Sequence, residues 1–428
     1  MITAKAFAGK HYAVYGLARS GLATVEALLA SGAKVTVWDG NESARGKLPS
    51  GATLLDLDEA DLGQFDSLVV TPGLPLNRHP IAAKARAANL EIIGDIELFA
   101  RARPELPPHK VVGITGTNGK STTTALVHHI LQTAGVPSLM GGNIGLPILS
   151  QDPLPEGGVY VLELSSYQID LTQTLDCDVA VLLNITSDHL DRYDDGFEGY
   201  AASKNRLLAM QSKDHFAVIN WTAFLSGLIL KGAKPSSSGF NGIHVDPELD
   251  QSWWPALQGP HNAENVNAAS QVCAWLGLDD ETIQRALRTY PGLPHRMERI
   301  REKDGVLFVN DSKATNATAA APALAAFPAI RWICGGQAKS DNLDECAPHF
   351  AHVREAYTIG DASDLFARLL APHIKVAECG DLAHAVLRAA NDAQAGETVL
   401  LSPACASFDQ FRDFEARGDA FRTLVGAL

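Results

Sequence analysis

Cysteine is scarce in this chain. Six occur among 428 residues, at positions 177, 273, 334, 346, 379 and 405, and no two form a Cys-x-x-Cys pair. A disulfide scaffold is therefore excluded. Positive charge is also short: Lys plus Arg is 35 against 49 for Asp plus Glu, a net charge of −14. That balance argues against a nucleic-acid partner held by phosphate contacts, though a locally positive site can still take an anionic substrate. Long apolar runs are missing as well. The uncharged stretch Ala314–Ile330 is mostly alanine and is broken by Asn316, Pro322 and Pro328, so membrane insertion is not expected. Met1–Lys10 lacks the basic-then-apolar pattern of a secretory signal. The remainder is globular composition, 46% apolar and 20% charged. The expectation is a reduced, cytoplasmic protein.

Short apolar runs alternate with amphipathic stretches of helical length, which argues α/β with mostly parallel strands. Strands are expected at His11–Tyr15, Lys34–Trp38 and Ser67–Thr71, with a helix over Arg19–Ala30. Arg103–Pro108 carries three prolines and reads as an extended linker. Beyond it come strands at Lys110–Thr115, Val159–Leu164, Val179–Asn184 and Ala217–Asn220. Helices follow at about 119–134, 199–210, 263–276 and 281–290, and residues 232–260 are poorly patterned. Pro291–Pro294 looks like a second boundary. Strands at Val306–Asn310, Ile330–Cys334, Ala356–Ile359 and Thr398–Leu401 follow it.

Gly116-Thr117-Asn118-Gly119-Lys120-Ser121 sits between a buried-type strand and a helix. Glycines let the backbone curl around a phosphate, and the helix N-terminus adds partial positive charge. Lys120 would then pair with the β/γ-phosphates and Ser121 with Mg²⁺. The spacing departs from G-x-x-x-x-G-K-[ST], since Ile114 stands where the first glycine belongs. ATP is the preferred nucleotide, and the loop by itself also admits GTP. Gly16-Leu17-Ala18-Arg19-Ser20-Gly21 opens a helix after a strand, with Asp39 at the end of the next one. That is a Rossmann-type arrangement without the G-x-G-x-x-G pattern, so a ligand-free tight turn is the competing reading. Thr71-Pro72-Gly73 closes a third strand. Together these suggest a second nucleotide-like ligand.

Glu163 ends a strand and can face a metal held by Ser121. His189, in Asp188-His189-Leu190-Asp191, and Lys204 have ordinary surface readings beside functional ones, and Asn262 reads as a helix N-cap. Asn310–Asn316, Gly335–Lys339 and Leu401–Ser407 are strand-end turns, and three such turns in one sheet can converge on a site.

With those motifs in hand, the chain resembles the Mur ligase family of peptidoglycan synthesis over all three units. The resemblance rests on the short Gly-Thr-x-Gly-Lys-Ser loop, Gly141–Gly145, Leu164–Ser166, Gly292–Arg296, Asn310–Asn316 and Ser402–Ser407. The last two point to the D-glutamate-adding branch. The fold implied is α/β in three domains. Residues 1–106 would form a Rossmann-like UDP-substrate domain, 107–293 a central P-loop ATPase-like domain on a mostly parallel sheet, and 294–428 a Rossmann-like amino-acid domain. The activity implied is ATP-dependent ligation of D-glutamate to UDP-N-acetylmuramoyl-L-alanine, by a monomer with two Mg²⁺ ions.

The resemblance also implies roles. Gly116, Thr117, Asn118, Gly119, Lys120, Ser121, Thr122, Asn265, Arg296 and Asp311 would serve ATP, with Lys313 near the reacting phosphate. Ser121 and Glu163 would hold one Mg²⁺, and His189 and a carbamylated Lys204 the other. Arg19, Ser20, Asp39 and Gly73 would bind the UDP part, Asn143 the substrate nearer the chemistry, and Thr315, Lys339, Ser407 and Phe414 the amino acid. Gly40 and Asn41 replace the hydroxyl and basic residue that often follow the acid at Asp39 in relatives, so the uridine contacts must differ. The alternatives are a sibling Mur-type or polyglutamate-type ligase for another amino acid, and a nucleotide-binding regulator on the same fold. The retention of Lys120, Glu163, His189 and Lys204 argues against the regulator.

Overall fold

The computed structural model describes residues 1–46, 48–188, 190–220, 239–243 and 250–428. The chain packs as two compact units. Met1–His244 with Asn265–Ala286 form the first, and Val245–Glu264 with Leu287–Leu428 the second.

The first unit holds two parallel sheets. One consists of β1 (His11–Tyr15), β2 (Lys34–Trp38), β3 (Thr53–Leu54), β4 (Ser67–Val70) and β5 (Ile92–Ile93), in the order β3-β2-β1-β4-β5. The other consists of β6 (His109–Thr115), β7 (Ser138–Gly142), β8 (Gly158–Glu163), β9 (Val179–Leu182), β10 (Phe216–Asn220) and β11 (Gly239–Ile243), in the order β11-β10-β9-β6-β8-β7. The central strands β4, β8 and β9 are buried along their whole length, as strands covered on both faces must be. One apolar core runs through both sheets, with Phe99 edge-on to Tyr160 at 5.0 Å between ring centroids. Glu97 fastens the same junction: its buried carboxylate accepts from the backbone N–H of Gln173 and Thr174 and from Arg101.

The second unit holds β12 (Glu298–Lys303), β13 (Val306–Asn310), β14 (Ile330–Gly335), β15 (Val353–Ile359), β16 (Val376–Gly380) and β17 (Thr398–Leu401), in the order β12-β13-β17-β14-β15-β16. Among the described strands of this unit, only the edge strand β12 runs antiparallel.

Several expectations need correction. Arg103–Glu105 is a turn of 3-10 helix, not extended chain. It is held because Arg103 bonds Asp176 O and His109 and pairs with Asp178 at 3.3 Å. Asn262 is not an N-cap: the helix starts at Pro260, and Asn262 Nδ2 donates back to Gln258 O at 2.9 Å. Within the poorly patterned stretch 232–260, residues 239–243 form β11, and 232–238 and 244–249 lie outside the described residues. No helix among the described residues is long and apolar enough to cross a membrane.

Candidate active site

Parallel strands place their C-terminal ends on one edge of a sheet, where the following loops can meet. In the first sheet that edge gathers the loops after β2, β1 and β4, which are neighbours. Gly21 packs against the turn so closely that a Cβ would lie 1.9 Å from Gly16 O, so the first turn tolerates no side chain there. Asp39 serves the turn itself. Its Oδ2 accepts from Leu17 N at 2.6 Å and its Oδ1 from Asn41 N at 2.8 Å. Arg45 donates to Asp39 O at 3.1 Å and lies 4.6 Å above the Trp38 ring, so a cation stands beside Asp39. Arg19 bonds Gly145 O, in the loop that carries Asn143. Ser20 lines a small cavity with Thr24, Thr71 and Asp95. Burial pushes the Asp95 carboxyl up to about 6, against the pull of the Ile96 N–H.

In the second sheet β6 lies between β9 and β8, so its phosphate loop is flanked by Asn184 on one side and Glu163 on the other. The loop is pinned from the β9 side. Thr117 N donates to Asn184 O at 2.9 Å, Asn118 N to Asn184 Oδ1 at 2.8 Å, and Thr186 N to Thr117 Oγ1 at 3.0 Å. Gly119, with φ +84°, caps the helix Lys120–Thr133 in the left-handed region, and a Cβ there would meet Asn265 Oδ1 at 2.3 Å. Asn265 also accepts from Thr123 Oγ1 at 3.2 Å, which places it beside the phosphate-loop helix.

Two lysines converge on one carbonyl. Lys120 Nζ donates to Gly116 O at 2.9 Å and to Thr117 O at 2.7 Å, and Lys204 Nζ donates to the same Gly116 O at 2.9 Å. Lys204 is 2% exposed. Its ammonium is pulled down to about 7, first by burial and then by the charge of Lys120, with Asp188 and Asp170 opposing. Glu163, also 2% exposed, accepts from Asn143 Nδ2 at 2.9 Å through Oε1, while its buried Oε2 has no hydrogen-bond partner among the described residues. A buried acceptor left in that state is costly unless a cation or donor meets it. Ser121 and Glu163 thus offer oxygen donors of the kind a divalent cation takes, whereas Lys204, as an ammonium, is itself a cation and would ligate one only as a carbamate. His189 lies outside the described residues, and among those described no cluster of three His, Cys, Asp or Glu side chains forms a ready metal site.

The second unit repeats the logic at the adjacent ends of β13, β17 and β14. Asp311 accepts from Ser402 Oγ at 2.8 Å and from Met297 N at 3.2 Å. Burial pushes its carboxyl up to about 7 against those two bonds and the charge of Arg296. Lys313 Nζ sits 3.8 Å over the Phe414 ring, and Lys339 Nζ donates to Thr315 Oγ1 at 3.3 Å. The backbones of Gln337 and Ala406 exchange two hydrogen bonds of 2.9 Å, which joins the loop of Lys339 to that of Ser407. The expected ATP residues are thus divided: 116–122 and Asn265 belong to the first unit, Arg296 and Asp311 to the second.

Three arginines that the sequence analysis does not single out hold these loops: Arg45, Arg192 and Arg417. Arg417 is 1% exposed and donates to Ser312 Oγ and O, Cys405 O and Ala406 O, between 2.9 and 3.2 Å. Its helix offered a signal, since Arg417 shares an apolar face with Phe414 and Phe421, where a solvated arginine has no place.

Family models match at residues 10–94 (Mur ligase MurD-like, N-terminal domain), 114–273 (Mur ligase middle domain) and 295–405 (Mur ligase, glutamate ligase domain). A UDP-N-acetylmuramoylalanine–D-glutamate ligase from Novosphingobium aromaticivorans is 60% identical, covering 100% of this chain and 97% of its own. The ligase of that name from Sphingopyxis alaskensis is 60% identical over 100% of both chains. The crystal structure of MurF ligase from Thermotoga maritima in complex with ADP shares the fold, with TM-score 0.61 at 16% identity, covering 98% of this chain and 96% of its own. The chain belongs to the Mur ligase family.

Proposed function

We propose that this chain joins D-glutamate to UDP-N-acetylmuramoyl-L-alanine in peptidoglycan precursor synthesis, using ATP and releasing ADP and phosphate. It works in the cytoplasm as a monomer. The observation that carries the ligase reading is the edge of the second sheet, where the phosphate loop, two converging lysines and the half-satisfied Glu163 carboxylate stand together. The choice of amino acid rests on relatives of that name at 60% identity over the whole chain.

A carboxylate and an ammonium do not condense to an amide at useful equilibrium in water. The carboxylate is a poor electrophile, and its oxygen is a poor leaving group. In the proposed reaction the substrate carboxylate attacks the γ-phosphorus of ATP, giving an acyl phosphate and ADP. The amine of D-glutamate, held by Thr315, Lys339 and Ser407 beside Phe414, then attacks the acyl carbon and expels phosphate. Two anions must approach in the first step. Lys120, released from the loop carbonyls, and the N-terminus of its helix offset that repulsion.

Arg19, Ser20, Asp39 and Gly73 anchor the UDP part, and Asn143 orients the acid near Glu163. Ser121 and Glu163 would hold one Mg²⁺, and His189 and Lys204 as a carbamate the second; the ions would supply positive charge to the phosphate oxygens. The depressed Lys204 ammonium provides neutral amine near pH 7, the form that adds CO₂ with loss of a proton. The resulting carbamate would stand beside Lys120 in place of a like charge. The test is ¹⁸O transfer. Substrate labelled in its carboxylate yields labelled phosphate if the acyl phosphate forms, and unlabelled phosphate overturns the mechanism.

A further inference from the structure

The chain between β9 and the helix Gly196–Ala209 includes a short 3-10 turn, Leu190–Arg192. Arg192 reaches from that turn to the loop after β4, in the other sheet of the same unit. Its Nη2 donates to Pro72 O at 3.2 Å and to Leu74 O at 2.9 Å, and its Nη1 donates to Gly73 O at 3.2 Å. Its guanidinium carbon lies 4.2 Å over the Tyr167 ring. A second contact runs the other way. Asn77 Nδ2 and Arg78 Nη2 both donate to Asp191 O, at 3.1 and 2.7 Å. Three successive carbonyls on one guanidinium use its rigid fork, and a lysine's single nitrogen cannot reproduce that geometry.

What these contacts join is informative. Pro72–Leu74 contains Gly73, a residue read as holding the nucleotide part of the substrate. Asn184 and Thr186, a few residues before Arg192, pin the phosphate loop through Thr117 and Asn118. A packed aromatic line continues from the arginine. Tyr167 stacks with Tyr193 at 6.5 Å, and Tyr193 meets Tyr200 edge-on at 5.8 Å. Tyr200 hydroxyl lies 3.0 Å from Thr117 Oγ1, and its ring lies 4.5 Å from Lys204 Nζ. One residue therefore ties the loop at the nucleotide end to the loop and the lysine at the reacting end.

We propose that Arg192 is a positioning residue that couples the two ends of the UDP-linked substrate. With the uridine end seated at Pro72–Leu74, the turn Leu190–Arg192 is fixed, and through the aromatic line from Tyr167 to Tyr200 the phosphate loop is held ready for transfer. Binding energy at the remote nucleotide thereby raises kcat and not only affinity. This rests on the proposed UDP-substrate reading.

The experiment crosses two enzymes with two substrates. Wild type and Arg192→Met are assayed with UDP-N-acetylmuramoyl-L-alanine and with 1-phospho-N-acetylmuramoyl-L-alanine, which lacks the uridine. In the wild type, losing the uridine lowers kcat. In Arg192→Met, kcat with the full substrate falls about tenfold while kcat with the truncated one changes less than about threefold. The KM for D-glutamate stays unchanged, and Arg192→Lys fails to restore the kcat difference. Equal losses with both substrates mean that the arginine is only structural and overturn the coupling, as does no loss with either. A second readout does not need turnover. UDP alone protects the amides of 184–188 and 190–192 from hydrogen exchange in the wild type and not in Arg192→Met. Absence of that protection in the wild type overturns the coupling. Protection without turnover of either substrate would instead retain the coupling and reject the ligase reading.

Discussion

Replacing Arg417 by methionine removes a buried guanidinium from four acceptors: Ser312 Oγ, Ser312 O, Cys405 O and Ala406 O. All lie in the loops after β13 and β17, which carry Thr315 and Ser407. Ala406 O keeps its bond from Gln337 N, and each of the three acceptors that lose their donor costs roughly 1–3 kcal/mol. The arginine's own burial works the other way. Its pKa is pulled down to about 10 by desolvation, a penalty of about 3 kcal/mol that the substitution relieves. The middle of that range exceeds the relief, and the net destabilisation is about 3 kcal/mol, concentrated in the two loops. Hydrogen exchange resolves where it falls. Protection should drop in 311–316 and 402–407 and persist in the phosphate-loop helix Lys120–Thr133. The KM for D-glutamate should rise at least about tenfold, because the loops that hold Thr315 and Ser407 lose their common anchor. Unchanged exchange in both loops, with an unchanged KM, would refute the reasoning.

Other substitutions test other links. Lys120→Ala should lower kcat by at least about 10²-fold with little change in melting temperature, and a near-wild-type rate would remove the phosphate-loop assignment. Gly119→Ala places a Cβ against Asn265 Oδ1 at a φ of +84°, and it should raise the KM for ATP several-fold while leaving that for D-glutamate alone. Asp95 gives a pH signature. Its folded carboxyl titrates at about 6, above its unfolded value, so its stabilising protonated form is fully present below about pH 4 and is lost as pH rises through 6. The stability of Asp95→Asn relative to wild type should therefore improve by about 2.4 kcal/mol between pH 4 and pH 7, and a difference independent of pH would contradict the burial argument.

Much of this fold was written in local pattern. β1, β2, β13 and β17 begin and end where their apolar runs predict, since interior parallel strands need apolar residues on both faces. The strands without that pressure were invisible. β3 and β5 have two residues each, β7 ends in two glycines, and β12 reads Glu-Arg-Ile-Arg-Glu-Lys because it is a half-exposed edge strand. Strand-end residues such as Glu163 and Asp311 were legible because parallel topology collects them on one edge. Arg45, Arg192 and Arg417 were not, since their partners are mostly backbone carbonyls, for Arg192 and Arg417 far away in sequence, and no side-chain pattern announces a carbonyl. Asp39 is a mixed case. Its position was readable, but its carboxylate is spent partly on Leu17 N, a bond that only the folded turn reveals.

The central claim is the joining of one particular amino acid to one particular acid. Phosphate release from ATP, measured with UDP-N-acetylmuramoyl-L-alanine across a panel of D- and L-amino acids, tests it most directly. Release with D-glutamate alone is the predicted result. Release with a different amino acid would keep the ligase chemistry and contradict the roles given to Thr315, Lys339 and Ser407, and no release with any of them would contradict the account as a whole.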